Sequence, residues 1–180
     1  ILYAILPANF IDHTHTDAVV TLSNNPRGGE ILAEIFPDCL ILPYIMPGFI
    51  LSKQVYAAIK YHDPSQYKGI VLMHHGVFTY SDDARVAYET MIELVSRAEN
   101  YIAAFGVTTL ASAQNNVDLM DLARIRKAVS AARGSAQLAM LDQTPDAQGY
   151  ASLSNIAEIA TRGPITPDHV IRTKRVPVII

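Results

Sequence analysis

The sequence predicts a layered α/β domain, and three observations carry that reading. Short apolar runs such as Cys39-Leu40-Ile41-Leu42 and Gly69-Ile70-Val71-Leu72 have the length and continuity of strands buried on both faces. Segments between them place apolar residues at helical spacing, as Leu51, Val55 and Ile59 do. The two patterns alternate along the first hundred or so residues, which is how sheets covered by helices are built. Strand order and direction do not follow from the pattern.

Taken in order, residues Ile1 to Pro7 read as the end of a helix and Asn9 to Thr14 as a short strand. Asp17 is a helix cap ahead of Ala18 to Leu22. Asn24-Asn25-Pro26-Arg27-Gly28-Gly29 is turn chemistry. Glu30 to Phe36 is a short helix stopped by Pro37, and Cys39 to Tyr44 a buried strand. Pro47-Gly48 turns the chain into a helix over Leu51 to Tyr61. Lys68 to Met73 is the next strand, running into His74-His75-Gly76, after which Val77 to Tyr80 continues extended. Ser81-Asp82-Asp83 opens the longest helix, whose stripe runs from Ala84 through Ala87, Met91, Leu94 and Ala98 to Ile102, with Gly106 ending it. Asn116 caps a helix over Val117 to Arg133 that turns Leu119, Leu122, Ile125 and Val129 inward. Gln137 to Leu141 reads as a strand, Leu153 to Thr161 as a helix, and Gly163 to Pro167 as a linker-like break.

Composition narrows the function. Fourteen Lys and Arg against 17 Asp and Glu give a formal charge of -3 over 180 residues, which is no footprint for nucleic acid. No basic helix marks a membrane surface, and Pro43 and Pro47 break the longest apolar runs well short of the roughly 18 residues of a membrane span. No signal-peptide pattern is visible. Cys39 is the sole cysteine, so no internal disulfide forms, and a reducing, cytoplasmic setting is expected. The chain begins inside an apolar run and ends on Val176-Pro177-Val178-Ile179-Ile180, so it reads as a piece of a longer protein.

The chemistry sits in the histidines. His13 and His15 are spaced i, i+2, so on an extended segment both project to one face. A third imidazole would complete a three-histidine set with an open position, the ligand arrangement of a catalytic zinc ion. His74 and His75 end a buried strand about sixty residues later. Adjacent strand residues point to opposite faces, so one of the two is expected to ligate. Gly76, which lets the backbone come close to a neighbour, favours His75; His74 then faces away, as a core histidine or one supporting a ligand. Asp12 reads as structural, Asp17 first as a cap, and His169 as a linker histidine. There is no Gly-x-Gly-x-x-Gly and no Walker loop.

Phe10-Ile11-Asp12-His13-Thr14-His15, with a later buried strand ending in His75-Gly76, resembles the class II aldolase/adducin family. Asp12 to His15, Pro43 to Gly48, His74 to Gly76 and Thr161 to His169 look most like the rhamnulose-1-phosphate aldolase domain found fused to a short-chain dehydrogenase. The resemblance implies a three-layer α/β/α domain over residues 1–106, a helical extension over 107–162, and a linker or further segment over 163–180. It implies zinc or another divalent ion on His13, His15 and His75, chelating the oxygens of a ketose 1-phosphate and stabilising the enediolate of retro-aldol cleavage to dihydroxyacetone phosphate and lactaldehyde. Tyr44, four residues before Gly48, matches the family's proton donor by position; its other reading is a strand-end tyrosine with its ring in the core. The family's carboxylate base, about twenty residues before the His-x-His, would precede Ile1, so this piece alone is expected to be inactive. A homo-oligomer, most commonly a tetramer, is implied. The same fold also serves sugar-phosphate epimerases and dehydratases, and adducin-like binding modules.

Overall fold

The computed structural model describes residues 2–106 and 118–179. The elements run α1 (Leu2–Ile5), β1 (Phe10–Thr14), α2 (Asp17–Ser23), α3 (Gly28–Ile35), β2 (Leu40–Leu42), α4 (Phe49–Tyr61), a 3-10 turn (Pro64–Gln66), β3 (Gly69–Leu72), β4 (Gly76–Ser81), α5 (Ala84–Ala104), α6 (Leu119–Arg133), α7 (Pro145–Ala151), α8 (Ile156–Ala160) and α9 (Pro167–Arg172). They fall into two units: residues 1–107 with 163–178, and residues 108–162 with 179–180.

The first unit is built on a four-stranded sheet in the order β1-β4-β3-β2. β4 pairs antiparallel with both β1 and β3, while β2 lies parallel to β3. Period-2 alternation sorts the strand residues onto two faces. Val71 and Val77 face a cluster with Val19 and Leu22 of α2, Leu32 of α3, Phe36, and Met91, Leu94 and Ala98 of α5. Ile70, Leu72 and Phe78 face the other way, onto Leu6 and onto Leu51 and Val55 of α4. Helices therefore cover both faces, and the predicted three-layer arrangement is the one observed.

Local chemistry explains the boundaries. Asp83 caps α5, its carboxylate accepting from the amides of Arg85 at 2.8 Å and Val86 at 3.2 Å. Thr79, fully buried on β4, donates its hydroxyl to the Ala87 carbonyl at 2.9 Å and ties helix to sheet. Arg97 of α5 reaches Asp38, just before β2, through two guanidinium nitrogens at 2.7 and 2.9 Å. Asp17 is not a cap: Thr16 holds that position, and Asp17 is the first helical residue, where its charge suits the helix N-terminus. α3 starts at Gly28, two residues earlier than predicted, where the backbone packs on the Ser23 carbonyl too closely for any side chain.

The largest departure lies between β3 and β4. The chain does not continue extended past His74; it reverses in a tight hairpin with His74 in the left-handed region at φ 56°. An apolar run on either side of a two-histidine break has the same sequence pattern whether it is one strand or two.

The second unit departs more. Its helix α6 ends as predicted, on Gly134 at φ 68°, but Asp118 caps it; the expected cap Asn116 lies outside the described residues. None of α6 is buried, so the stripe of Leu119, Ile125 and Val129 is not an inward face. Residues Gln137 to Leu141 form no strand: Leu138 and Met140 are fully exposed, and no strand among the described residues offers them a ladder. Thr144-Pro145-Asp146 is instead a helix start, which makes α7, and Asn155 delays the next helix to Ile156. Residues 163–178, read as a linker, carry α9 and cluster with the first unit.

Candidate metal centre

β1 and β4 set the position of two imidazoles. His13 sits opposite Phe78 in the register, and the two rings stack at 3.9 Å, 7° from parallel. His15 follows two residues on, just past the end of β1, and Gly76 at the start of β4 lies close against it. A Cβ at Gly76 would lie 2.3 Å from the Thr14 carbonyl oxygen and 3.2 Å from Cδ2 of His15. Gly76 is therefore a glycine because the strand and the ring both need that space.

The hairpin turn supplies the third. The amide of His74 donates to the Ser23 hydroxyl at 3.0 Å, which in turn donates to the Val20 carbonyl at 3.0 Å, so the end of α2 pins the turn. The amide of His75 closes onto the Leu72 carbonyl at 3.2 Å. This geometry sends the two side chains apart. His74 is exposed, bonded through Nδ1 to the Asn24 side chain at 2.5 Å and meeting the Tyr44 ring edge-on at 5.8 Å. His75 is 8% exposed, its ring 5.3 Å from that of His13 and 5.0 Å from that of His15.

One nitrogen from each of His13, His15 and His75 lies within 4.8 Å of the others. The hydrogen bonds decide what those nitrogens are. Nδ1 of His13 meets the Val77 carbonyl at 2.9 Å, and a carbonyl only accepts, so Nδ1 carries the proton. Nδ1 of His15 meets the Asp168 carboxylate at 2.9 Å and is protonated for the same reason. In the neutral rings both Nε2 atoms are then bare acceptors, and they face each other at 3.0 Å. Two lone pairs in that position repel unless a proton or a cation lies between them. His75 adds a buried Nδ1 with no hydrogen-bond partner. Converging, undercompensated nitrogen donors fit a divalent ion.

The electrostatics favour the ligating form. Burial, the dominant cause, holds His13 below the ordinary histidine range, helped by His15 and opposed by the Val77 bond and by Asp168. Burial, then the nearby His13 and His15, push His75 down to about 4. Neutral imidazole is the form that binds metal, so no proton must first be removed at pH 7 from His13 or His75. A cavity of about 360 Å³ opens beside His13 and His75, its remaining wall mostly apolar, from Leu2, Tyr3, Phe49, Leu51 and Phe78.

Residues 1–102 match the family described as Class II Aldolase and Adducin N-terminal domain. The chain belongs to the class II aldolase and adducin family. Residues 116–180 match Aldolase class II, second domain. A solved structure, the N-terminal class II aldolase domain of a conserved protein from Thermoplasma acidophilum, is 40% identical with a TM-score of 0.50, covering 56% of this chain and 46% of that one. The Uncharacterized oxidoreductase YuxG of Bacillus subtilis (strain 168) is 27% identical over 191 residues, taking in 100% of this chain and 27% of the relative. The chain thus spans about a quarter of the length of that relative. Class II aldolases typically use a divalent metal, and three histidines of this member can hold one.

The class II fold brings His13, His15 and His75 together and leaves His74 and Tyr44 as a separate exposed pair. His74 is neither in the core nor bonded to the three. Asp17 is exposed. His169 bonds Thr166 at 3.3 Å. Asp168 escaped the reading of single residues, since an acid after Pro167 is an ordinary first-turn residue; only the Thr161 to His169 motif flagged its segment. The supports from Ser23, Asn24 and the Val77 carbonyl carry no sequence signal.

Proposed function

We propose that the chain is the metal-dependent domain of an aldolase that cleaves a ketose 1-phosphate, of the rhamnulose 1-phosphate type, to dihydroxyacetone phosphate and an aldehyde. The observation that carries this reading is the convergence of His13, His15 and His75, with undercompensated nitrogens, in a chain of the class II aldolase family. Zinc or another divalent ion held there supplies Lewis-acid polarisation of the substrate's carbonyl and hydroxyl oxygens. The residues' part is to present bare nitrogens in fixed orientation. The Val77 carbonyl sets the tautomer of His13, Phe78 fixes its ring plane, and the left-handed turn at His74 aims His75 inward. The mostly apolar wall of the adjoining cavity offers a surface for the substrate's carbon skeleton.

Tyr44, half exposed, is the proposed proton donor, acting in the site of a neighbouring subunit of a homotetramer. That role explains why it need not approach its own chain's histidines. The oxidoreductase in the name of the Bacillus relative is carried to no residue here, since this sequence has no Gly-x-Gly-x-x-Gly. A cytoplasmic role in carbohydrate metabolism fits the reading.

The test is a panel of ketose 1-phosphates given to the zinc-loaded full-length protein, with aldehyde release and epimer formation followed together. Aldehyde release that disappears in His13→Ala is the expected result. Epimer or dehydrated product without aldehyde would reassign the site to an epimerase or a dehydratase. Bound metal with no turnover would make it an adducin-like binding module.

A further inference from the structure

Of the three imidazoles, His13 is oriented by a backbone carbonyl of the neighbouring strand, which no side-chain change removes. His15 has no such support. Its Nδ1 partner is the carboxylate of Asp168, 153 positions away in sequence, at 2.9 Å. Asp168 lies in the first turn of α9, in the segment that clusters with the first unit and matches the family's second domain. Within that segment Thr166, two residues earlier, is 6% exposed and bonds His169 at 3.3 Å. Arg172, one turn on, holds its Nε 3.8 Å from the other Asp168 oxygen, leaving the first oxygen to His15.

We infer that Asp168 is the positioning residue of the metal centre, locking His15 as its Nδ1–H tautomer so that Nε2 faces the ion. The inference rests on the metal reading above. A histidine ring without such a partner can turn about its Cβ–Cγ bond, or carry its proton on Nε2, and in either state it offers the ion no lone pair. A carboxylate behind a ligating histidine removes both states and raises the basicity of the opposite nitrogen. The half-exposed pair is worth little to folding, so its effect falls on the ion rather than on the fold. The second domain therefore takes part in the metal site through one side chain, although it contributes none of the three nitrogens.

The experiment uses the full-length protein, zinc as the probe, and two readouts that need no substrate. Zinc affinity is measured by competition with a chromophoric chelator for wild type, Asp168→Ala and Asp168→Asn. Side-chain ¹H–¹⁵N correlation spectra give the tautomer of His15, assigned by its loss in His15→Gln. Asp168→Ala is expected to bind zinc roughly 10- to 100-fold more weakly. Asp168→Asn, whose amide oxygen still accepts from Nδ1–H, is expected to recover part of that loss. The ion-free wild type is expected to show His15 protonated on Nδ1. Equal zinc affinity in wild type and Asp168→Ala would overturn the inference while leaving the metal reading intact. An Nε2–H tautomer in the wild type would overturn it even if both variants failed to fold. A wild type that takes up no zinc would overturn the metal reading and this inference with it.

Discussion

Replacing Gly76 with alanine adds one methyl group at the point where β1, β4 and the His15 ring meet. The new Cβ would stand 2.3 Å from the Thr14 carbonyl oxygen, against about 3.4 Å for ordinary contact, so the strands must part by roughly 1 Å. The opposing atom is backbone, which cannot rotate away. Overpacking costs about 1–3 kcal/mol, and a backbone obstacle places this substitution near 3. For a chain of this size each kcal/mol lowers Tm by about 2–4 °C, giving a drop of about 6–12 °C. Cδ2 of His15, 3.2 Å from the new atom, must also move, and zinc affinity should fall by about tenfold. Gly29→Ala is the control: nothing lies within 4 Å of its Cβ, and it sits inside α3, so it should be neutral or stabilising by up to about 1 kcal/mol. Thermal unfolding followed by circular dichroism, with a zinc titration of each variant, tests both. A Gly76→Ala protein melting within 2 °C of wild type with undiminished zinc affinity would refute the close-approach argument.

Three further outcomes are expected. His75→Ala should lose bound metal while His74→Ala keeps it, as read by metal analysis of the purified proteins; the reverse would mean the turn presents the wrong histidine. Leu94→Ala should cost about 2–5 kcal/mol in urea unfolding, since Leu94 is fully buried where α5 meets the sheet. The ion-free protein should weaken in mild acid: His75 titrates near 4 when folded and at its ordinary 6.5 when unfolded, so between those values the unfolded chain binds more protons. Stability is then full above about pH 6.5 and lost as pH falls toward 4, by at most about 3 kcal/mol and about 1–2 after solvent screening. His75→Asn should flatten that dependence, and unchanged pH dependence in the variant would place the titrating group elsewhere.

The sheet and its helices were legible because burial on both faces writes continuous apolar runs, and Asp83 and Gly134 punctuate helices in ways that local chemistry fixes. The histidine set was legible for a similar local reason: i, i+2 spacing on a strand leaves no choice of face. Strand alternation predicts that one of His74 and His75 ligates, and Gly76 favours His75, but what separates the two side chains is a hairpin with one residue in the left-handed region. The Ser23 hydroxyl receives that turn from about fifty residues upstream, a contact no local pattern encodes. Asp168 was hidden for the same reason, its partner being distant in sequence. In the second unit, apolar spacing suggested an inward helix face and a strand that are both exposed, since periodicity reports what a segment can bury, not whether a neighbour is there.

His13, His15 and His75 are proposed to hold a divalent ion together. Zinc-edge X-ray absorption of the full-length protein loaded with one equivalent of zinc tests it most directly. Three imidazole nitrogens at about 2.0–2.1 Å are expected in the wild type, and no such shell in His75→Ala, which should retain no zinc. A shell of oxygens alone, or a sulfur at about 2.3 Å from Cys39, would contradict it.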